Sequence, residues 1–131
     1  LGKSTAPTSF FNSSGRGYPD IAAQAVDYPV IVEGGLTLSV AGTSCAAPTS
    51  AGIIGLLNDA RLAANKTTLG FLNPLLYANP AALTDTTSGD QVGCGTVAQP
   101  LGFSAVEGWD AVTGLGSLNY ERLLEVVMAL P

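Results

Sequence analysis

The chain contains no histidine. That one absence removes every mechanism in which an imidazole of this chain takes a proton from a serine or a thiol, and it removes zinc sites built on histidine. Cationic side chains are scarce as well: five Lys and Arg stand against ten Asp and Glu, for a formal net charge of −5. Phosphate backbones need clustered cations, so nucleic acid is excluded as a partner. Two cysteines, Cys45 and Cys94, are too few to define a redox compartment. Charge of either sign is thin, at 11% of residues, and none occurs between Glu33 and Asp59. This charge-free span is still no membrane helix, because Gly34, Gly35, Gly42 and Pro48 interrupt it and its continuous apolar run, Gly52 to Leu57, is far too short. Few carboxylates also means little native-state stabilisation to lose on protonation, which is compatible with work in acid.

What is present suits one globular domain with a real core: 131 residues, 47% hydrophobic, mean hydropathy +0.35. No internal repeat occurs. The chain opens Leu1-Gly2-Lys3, without a basic lead and apolar core of the secretory kind, and is read as the tail of something longer. Two triplets, Asn12-Ser13-Ser14 and Asn65-Lys66-Thr67, are acceptors for N-linked sugar in a secreted eukaryotic protein.

Residues 1–17, rich in Ser, Thr and Gly, read as loop. Tyr18 to Ala25 and Tyr28 to Val32 read as short strands, with Glu33-Gly34-Gly35 turning the chain into Leu36 to Val40 as a hairpin. From Ser44 to Ala64, Ala47, Ala51, Ile54, Leu57 and Ala60 or Arg61 recur at helical spacing. The first half of this helix is apolar all round, which predicts burial in a larger body, and Gly52 and Gly55 would permit close approach to a neighbouring sheet. Pro48 is tolerated in a first turn, where backbone N–H groups lack partners anyway. A short helix or turn follows at Phe71 to Tyr77. Asn79 to Gly108 is a long irregular connection of the kind that has a function or a ligand. Asn119 to Leu130 closes the chain as an amphipathic helix, with Asn119 its N-cap and Glu121 in its first turn.

Ser44 has two readings. As a helix N-cap, its hydroxyl would accept a backbone N–H. As a nucleophile, it would sit at the positive end of a helix, where backbone N–H groups stabilise a developing oxyanion and Gly42 lets a substrate backbone approach. A nucleophilic serine needs a base. Without histidine, that base is a carboxylate or lies outside this chain.

Gly42-Thr43-Ser44 with Pro48 resembles the serine signature of the subtilisin and sedolisin peptidases. Three further blocks resemble sedolisins, the serine-carboxyl peptidases, and among them the fungal secreted members that include tripeptidyl peptidases. They are Gly15-Arg16-Gly17-Tyr18-Pro19-Asp20-Ile21, Gly70 to Tyr77, and Gly108-Trp109-Asp110 through Thr113-Gly114-Leu115-Gly116. The resemblance runs from about Phe11 to Pro131. It implies an α/β chain, the C-terminal portion of a subtilisin-like fold with a mainly parallel sheet flanked by helices, and residues 1–131 as a C-terminal fragment of one peptidase catalytic domain.

The resemblance also implies a chemistry. Ser44 is the nucleophile of a Ser-Glu-Asp triad whose Glu and Asp, with a further oxyanion Asp, lie upstream of this chain. A glutamate near its own pKa can accept the serine proton in acid, where histidine would already be protonated. One structural calcium is implied, held by the carboxylates of Asp85 and Asp110 and the backbone carbonyls of Thr86, Val106 and Gly108, a hard-oxygen set of the type calcium takes. Sequence spacing alone leaves Asp85 equally an Asx turn. Departures from the family pattern are Ala41 for Ser or Gly, Thr86 for a branched apolar residue, Val106 for Gly and Ala111 for Pro. The expected substrate is peptide or unfolded protein, the expected location is outside the cell or in a vacuole or lysosome, and the fragment alone is expected to be inactive.

Two alternatives stand beside this one: a non-catalytic truncated product that keeps a calcium-stabilised fold, and a subtilisin-type peptidase with an upstream His base. Cys45, next to Ser44, reads as a small packing residue rather than a thiol nucleophile. Cys94 is free or pairs outside the fragment. Asp20 and Asp27 read as turn and backbone partners rather than as triad members.

Overall fold

The structure is a computed structural model and describes residues 8–93, 95–99 and 101–131. The chain forms two compact units. One, the helical unit, comprises Ala23–Leu72 and Leu118–Pro131; the other, the loop unit, comprises the chain up to Ala22 together with Asn73–Ser117.

In the helical unit, strands β1 (Tyr28–Ile31) and β2 (Thr37–Val40) pair antiparallel, in the register Tyr28 to Val40 and Ile31 to Thr37. Tyr28 and Val30 are half-buried while Pro29 and Ile31 face solvent, the period-two alternation of a strand with one covered face. The turn between them is a short 3-10 segment at Glu33–Gly35, so the expected hairpin is present. Helix α1 (Thr43–Ala63) follows, one residue displaced from the span its periodicity predicts. It packs against a second helix of this unit, the closing one at Tyr120–Ala129. Leu57, Leu123 and Val127 are fully buried between these helices. At about 1.5–3 kcal/mol for each aliphatic side chain removed from water, this trio supplies several kcal/mol of the unit's cohesion. Within this chain α1 is not buried all round: Ala47 and Ala51 in its first half and Leu56 and Leu62 in its second are exposed, and nothing lies within 4 Å of where a side chain at Gly52 or Gly55 would project, in keeping with a helix whose burial was expected in a larger body.

Arg61 is 3% exposed, near the end of α1. Its guanidinium donates from Nε to the Thr67 carbonyl at 2.7 Å, from Nη2 to the Pro131 carbonyl at 2.8 Å, and from Nη1 to the Val127 carbonyl. Lys66 Nζ donates to the Leu130 carbonyl at 2.6 Å. The last carbonyls of a helix have no intrahelical partner and form its negative pole, so two cations there satisfy both demands. At the other end of the same helix, Asn119 Oδ1 accepts from Arg122 N at 3.1 Å, with Glu121 in the first turn, as expected.

In the loop unit, the helix after Leu72, α2 (Asn73–Ala78), leads into a 3-10 turn at Pro80–Ala82 and strand β3 (Leu83–Thr84). Strands β4 (Asp90–Gln91) and β5 (Phe103–Ser104) pair antiparallel, and β6 (Ser117–Leu118) precedes the closing helix, α3. The long connection therefore carries short strands. Leu76, Ala82, Leu83, Ala105 and Leu115 are its buried apolar residues, and Phe11 meets Phe103 edge-on with centroids 5.7 Å apart.

Two expectations are corrected here. Tyr18–Ala25 is not a strand and bends at Tyr18 and Asp20: Asp20 O accepts from Leu115 N at 2.9 Å and Ala22 N donates to Gly116 O at 3.0 Å, while Pro19 has no N–H to extend the ladder. Gly114 makes this approach possible, since at φ +63 a Cβ there would collide with the Asp20 carbonyl. The mainly parallel sheet is not found among the described residues, where strands associate in pairs and both β1–β2 and β4–β5 are antiparallel. A parallel pair needs a crossover of a dozen or more residues between its strands, whereas β1 reaches β2 through one tight turn.

Candidate active serine and metal-binding loop

Helix α1 begins at Thr43, so Gly42 is its N-cap and Ser44 its second residue. Ser44 is thus no N-cap, and its side chain is exposed. Gly42 has φ +155 and ψ 153, a conformation that costs an L-residue strain, and its N–H donates to the Ala25 carbonyl at 2.7 Å. The Gly42 carbonyl accepts from Cys45 N at 3.0 Å, which closes the first turn. The exposed hydroxyl of Ser44 therefore stands among the unpaired N–H groups of a 21-residue helix, where partial positive charge is concentrated.

The turn that holds Ser44 is tied down from beneath. Thr49 Oγ1 donates to the Cys45 carbonyl at 2.9 Å and lies 2.9 Å from the Tyr28 hydroxyl. A hydroxyl has one proton, so with that proton on Cys45 the second bond runs from Tyr28 to Thr49. β1 is thereby linked through a side chain to the first turns of α1, a tether that sequence pattern did not reveal. Cys45 itself is 6% exposed and packs as a small apolar residue, as expected. Asp27 lies with φ 51, and its Oδ1 accepts from Ser39 Oγ of β2 at 3.2 Å. Cys94 falls outside the described residues.

The residues assigned to calcium lie in the loop unit, where hydrogen bonds join them in two pairs, Asp85 with Gly108 and Asp110 with Val106. Asp85 Oδ2 accepts from Gly108 N at 2.7 Å. Asp110 is fully buried; its Oδ1 accepts from Val112 N at 2.9 Å, Thr113 N at 2.8 Å and Thr113 Oγ1 at 3.3 Å, and its Oδ2 accepts from Val106 N at 3.0 Å. Burial pulls the Asp110 pKa upward, but the amides of Thr113, Val106 and Val112 together outweigh it and hold the carboxyl below its ordinary value. It is an ionised carboxylate in a dry setting. Each carboxylate oxygen can accept twice, so Oδ2 of Asp110 and both oxygens of Asp85 keep capacity for a cation. Among the described residues no three His, Cys, Asp or Glu side chains gather for a metal, so any cation here depends on backbone carbonyls such as those of Thr86, Val106 and Gly108. Two carboxylates plus carbonyls form an all-oxygen set, which fits calcium and fits zinc poorly.

A side-chain cluster in the same unit went unpredicted. Arg16 Nη2 reaches both oxygens of Asp20 at 2.6 Å, the Tyr77 hydroxyl donates to Asp20 Oδ1 at 2.8 Å, and Trp109 Nε1 donates to the Pro19 carbonyl at 2.9 Å. The Arg16 guanidinium also lies 4.7 Å from the centroid of the Tyr18 ring. Hydrogen bonding from Arg16 first, and from Tyr77 after it, holds the Asp20 carboxyl below its ordinary value. The Asp20 side chain therefore clamps loops together through side chains, where backbone and turn partners were expected. Its signal in the sequence is the i, i+4 placement of Arg16 and Asp20.

No protein-family model matches the chain. Over 121 residues, 92% of this chain, it is 50% identical to tripeptidyl-peptidase sed1 of Aspergillus fumigatus and 46% identical to aorsin of Aspergillus oryzae. Over 94% of its length it is 43% identical to tripeptidyl-peptidase sed4 of Aspergillus fumigatus. Among solved structures, Pseudomonas sedolisin, a serine-carboxyl proteinase complexed with two molecules of pseudo-iodotyrostatin, matches with a TM-score of 0.57 at 30% identity, over 72% of this chain and 24% of that one. The chain is homologous to the sedolisins. The resemblance carried by its four sequence blocks is borne out, and its mixed helix-and-strand structure is that of part of a sedolisin. It spans only 18% of sed1 and of aorsin, and 23% of sed4.

Proposed function

We propose that this chain is the serine-bearing, C-terminal segment of a secreted serine-carboxyl peptidase that hydrolyses peptide bonds at acidic pH, with peptide or unfolded protein as substrate. The observation that supports it best is Ser44, exposed at the second position of α1 behind a Gly42 whose φ of +155 would strain any residue with a side chain, in a chain half identical to a tripeptidyl-peptidase. Ser44 Oγ attacks the scissile carbonyl carbon while its proton passes to a glutamate carboxylate upstream of this chain, itself oriented by an aspartate. The carbonyl oxygen takes up the negative charge, and backbone N–H groups at the start of α1, with a protonated aspartic acid from upstream, receive it. Collapse expels the amine with the proton from the glutamic acid, leaving an ester on Ser44; water then hydrolyses that ester by the same carboxylate.

In either mechanism the base lies upstream, and the likeness to a serine-carboxyl proteinase favours a carboxylate over an imidazole. Leu56 and Leu62, both more than half exposed on α1, support a further part of the protein covering this helix. Calcium would be held by Asp85, Asp110 and the carbonyls of Thr86, Val106 and Gly108; when bound it supplies fixed positive charge that ties the loop to itself. The low charge density suits work in acid, since a chain with few carboxylates has little stabilisation to lose when they are protonated.

Ser44→Ala in the full-length protein tests the reading. Peptide turnover should fall by roughly 10⁴-fold or more, with the melting temperature unchanged, as expected for loss of a nucleophile. Retained turnover would remove Ser44 from the mechanism.

A further inference from the structure

We infer that Asn12 is a site of N-linked glycosylation. The inference rests on the reading that the protein is secreted, and goes beyond it by naming a modified atom. Asn12-Ser13-Ser14 is an acceptor triplet with no proline at its middle position, and all three residues are exposed. They form a tight turn. Gly15 N donates to the Asn12 carbonyl at 2.9 Å, and Ser14 N donates to Asn12 Oδ1 at 3.0 Å. The Asn12 side chain thus commits its oxygen to the backbone, while Nδ2, the atom that would carry sugar, has no hydrogen-bond partner among the described residues.

The surroundings suit a carbohydrate. Asn12 borders a cleft of about 330 Å³ whose walls include Phe11, Tyr18, Phe103 and Trp109. Aromatic side chains of this kind offer apolar surface to a pyranose ring, while the Trp109 N–H is already donated to the Pro19 carbonyl. No cation or anion of this chain has to be displaced, because Arg16, the charged member of the cleft wall, is already paired with Asp20. The second triplet differs. Asn65 sits with φ +57 just beyond α1, and the residues after it are drawn into the helix end: Lys66 N donates to the Arg61 carbonyl and Thr67 O accepts from Arg61 Nε. Asn12 is the triplet that the fold leaves as a free-standing turn.

The bond formed joins Nδ2 of Asn12 to the anomeric carbon of a sugar supplied by a lipid-linked oligosaccharide diphosphate. The lipid diphosphate leaves as that bond's counterpart breaks, and one amide proton is lost. The test is expression of the full-length protein through a fungal secretory pathway, then release of N-glycans by an amidase in heavy-oxygen water and peptide mass mapping. The expected result is conversion of Asn12 to isotopically labelled Asp, abolished by Ser14→Ala and retained in Ser14→Thr. Asn12 found unmodified in secreted, peptidase-active protein overturns the glycan while leaving the proposed function intact. An active peptidase that never enters the secretory pathway overturns both the secreted reading and the glycan.

Discussion

Among the described residues, each unit of this chain buries one charged side chain, and the two are mirror images. In the helical unit it is a cation, Arg61, surrounded by three backbone carbonyls; in the loop unit it is an anion, Asp110, surrounded by three backbone amides and a hydroxyl. Neither is neutralised by an opposite charge. Each collects the backbone groups its unit leaves over: Arg61 takes carbonyls at the negative pole of α3, Asp110 takes the N–H groups of the turn 110–114 and of Val106. The difference lies in titration. Arginine side chains keep their charge throughout the range in which proteins fold, whereas a carboxylate can be protonated in acid. For a protein proposed to work at acidic pH, pH sensitivity therefore belongs to the loop unit.

Removing the cation should have the largest effect. Arg61→Met keeps much of the packing volume but strands three carbonyls, two of them at the end of α3, and should cost about 3 kcal/mol or more. The check is a denaturant melt of the full-length protein, with amide exchange in α3 rising well above that in β1. Unchanged exchange in α3 would show that its carbonyls do not need Arg61.

Calcium comes next, because the ion would join the loops that Asp110 and Asp85 already gather. A ligand that binds only the folded state adds about 2.7 kcal/mol at one hundred times its dissociation constant. A chelator should therefore lower the melting temperature of the full-length protein, and Asp85→Asn should flatten that response while leaving Arg61 and α3 untouched. Equal melting with and without calcium, in wild type and variant alike, would restrict Asp85 to its hydrogen bond with Gly108.

Asp110→Asn sharpens the contrast in titration. An amide presents an N–H where the carboxylate oxygen accepts, which should cost about 2 kcal/mol at neutral pH. The folded Asp110 carboxyl is held below its ordinary value, so its contribution is present above the unfolded pKa and is lost as pH falls through the folded one. Wild-type stability should decline below about pH 4, and the variant should decline less over the same window. Parallel profiles would mean that Asp110 does not set the acid limit.

How much of this was legible beforehand depended on the kind of interaction. The span of α1, the cap at Asn119 and the hairpin at Glu33–Gly35 all follow from local spacing, and the structure has them within a residue or so. Asp85 beside Gly108 was readable only through a family resemblance, since 23 residues separate them. Arg61 is the clearest miss. On a helical wheel it is an ordinary cation in a last turn, and the carbonyls that bury it lie 66 and 70 residues away. The segment Tyr18–Ala25 misled for the opposite reason: its composition favours a strand, but Pro19 and the approach of Gly114 turn it into a scaffold for single hydrogen bonds.

The smallest effect should come from the clamp around Asp20. Tyr77→Phe removes one donor from a carboxylate that still has Arg16, at a partly solvated site, and should cost under about 1 kcal/mol. Its signature is in titration rather than melting. The Asp20 carboxyl is held low by Arg16 first and by Tyr77 in support, so deleting the hydroxyl should raise its pKa toward the ordinary value without reaching it. Arg16→Met should raise it further. Because a depressed carboxyl stabilises the fold only above its unfolded pKa, both variants should lose their penalty in strong acid, where wild type loses the same bonds. A carbon-13 titration of the Asp20 carboxyl would read this directly. If Tyr77→Phe leaves that titration unmoved while Arg16→Met shifts it, the clamp is an ion pair with a bystander phenol, and only Asp110 remains as a carboxylate that organises the loop unit through several donors at once.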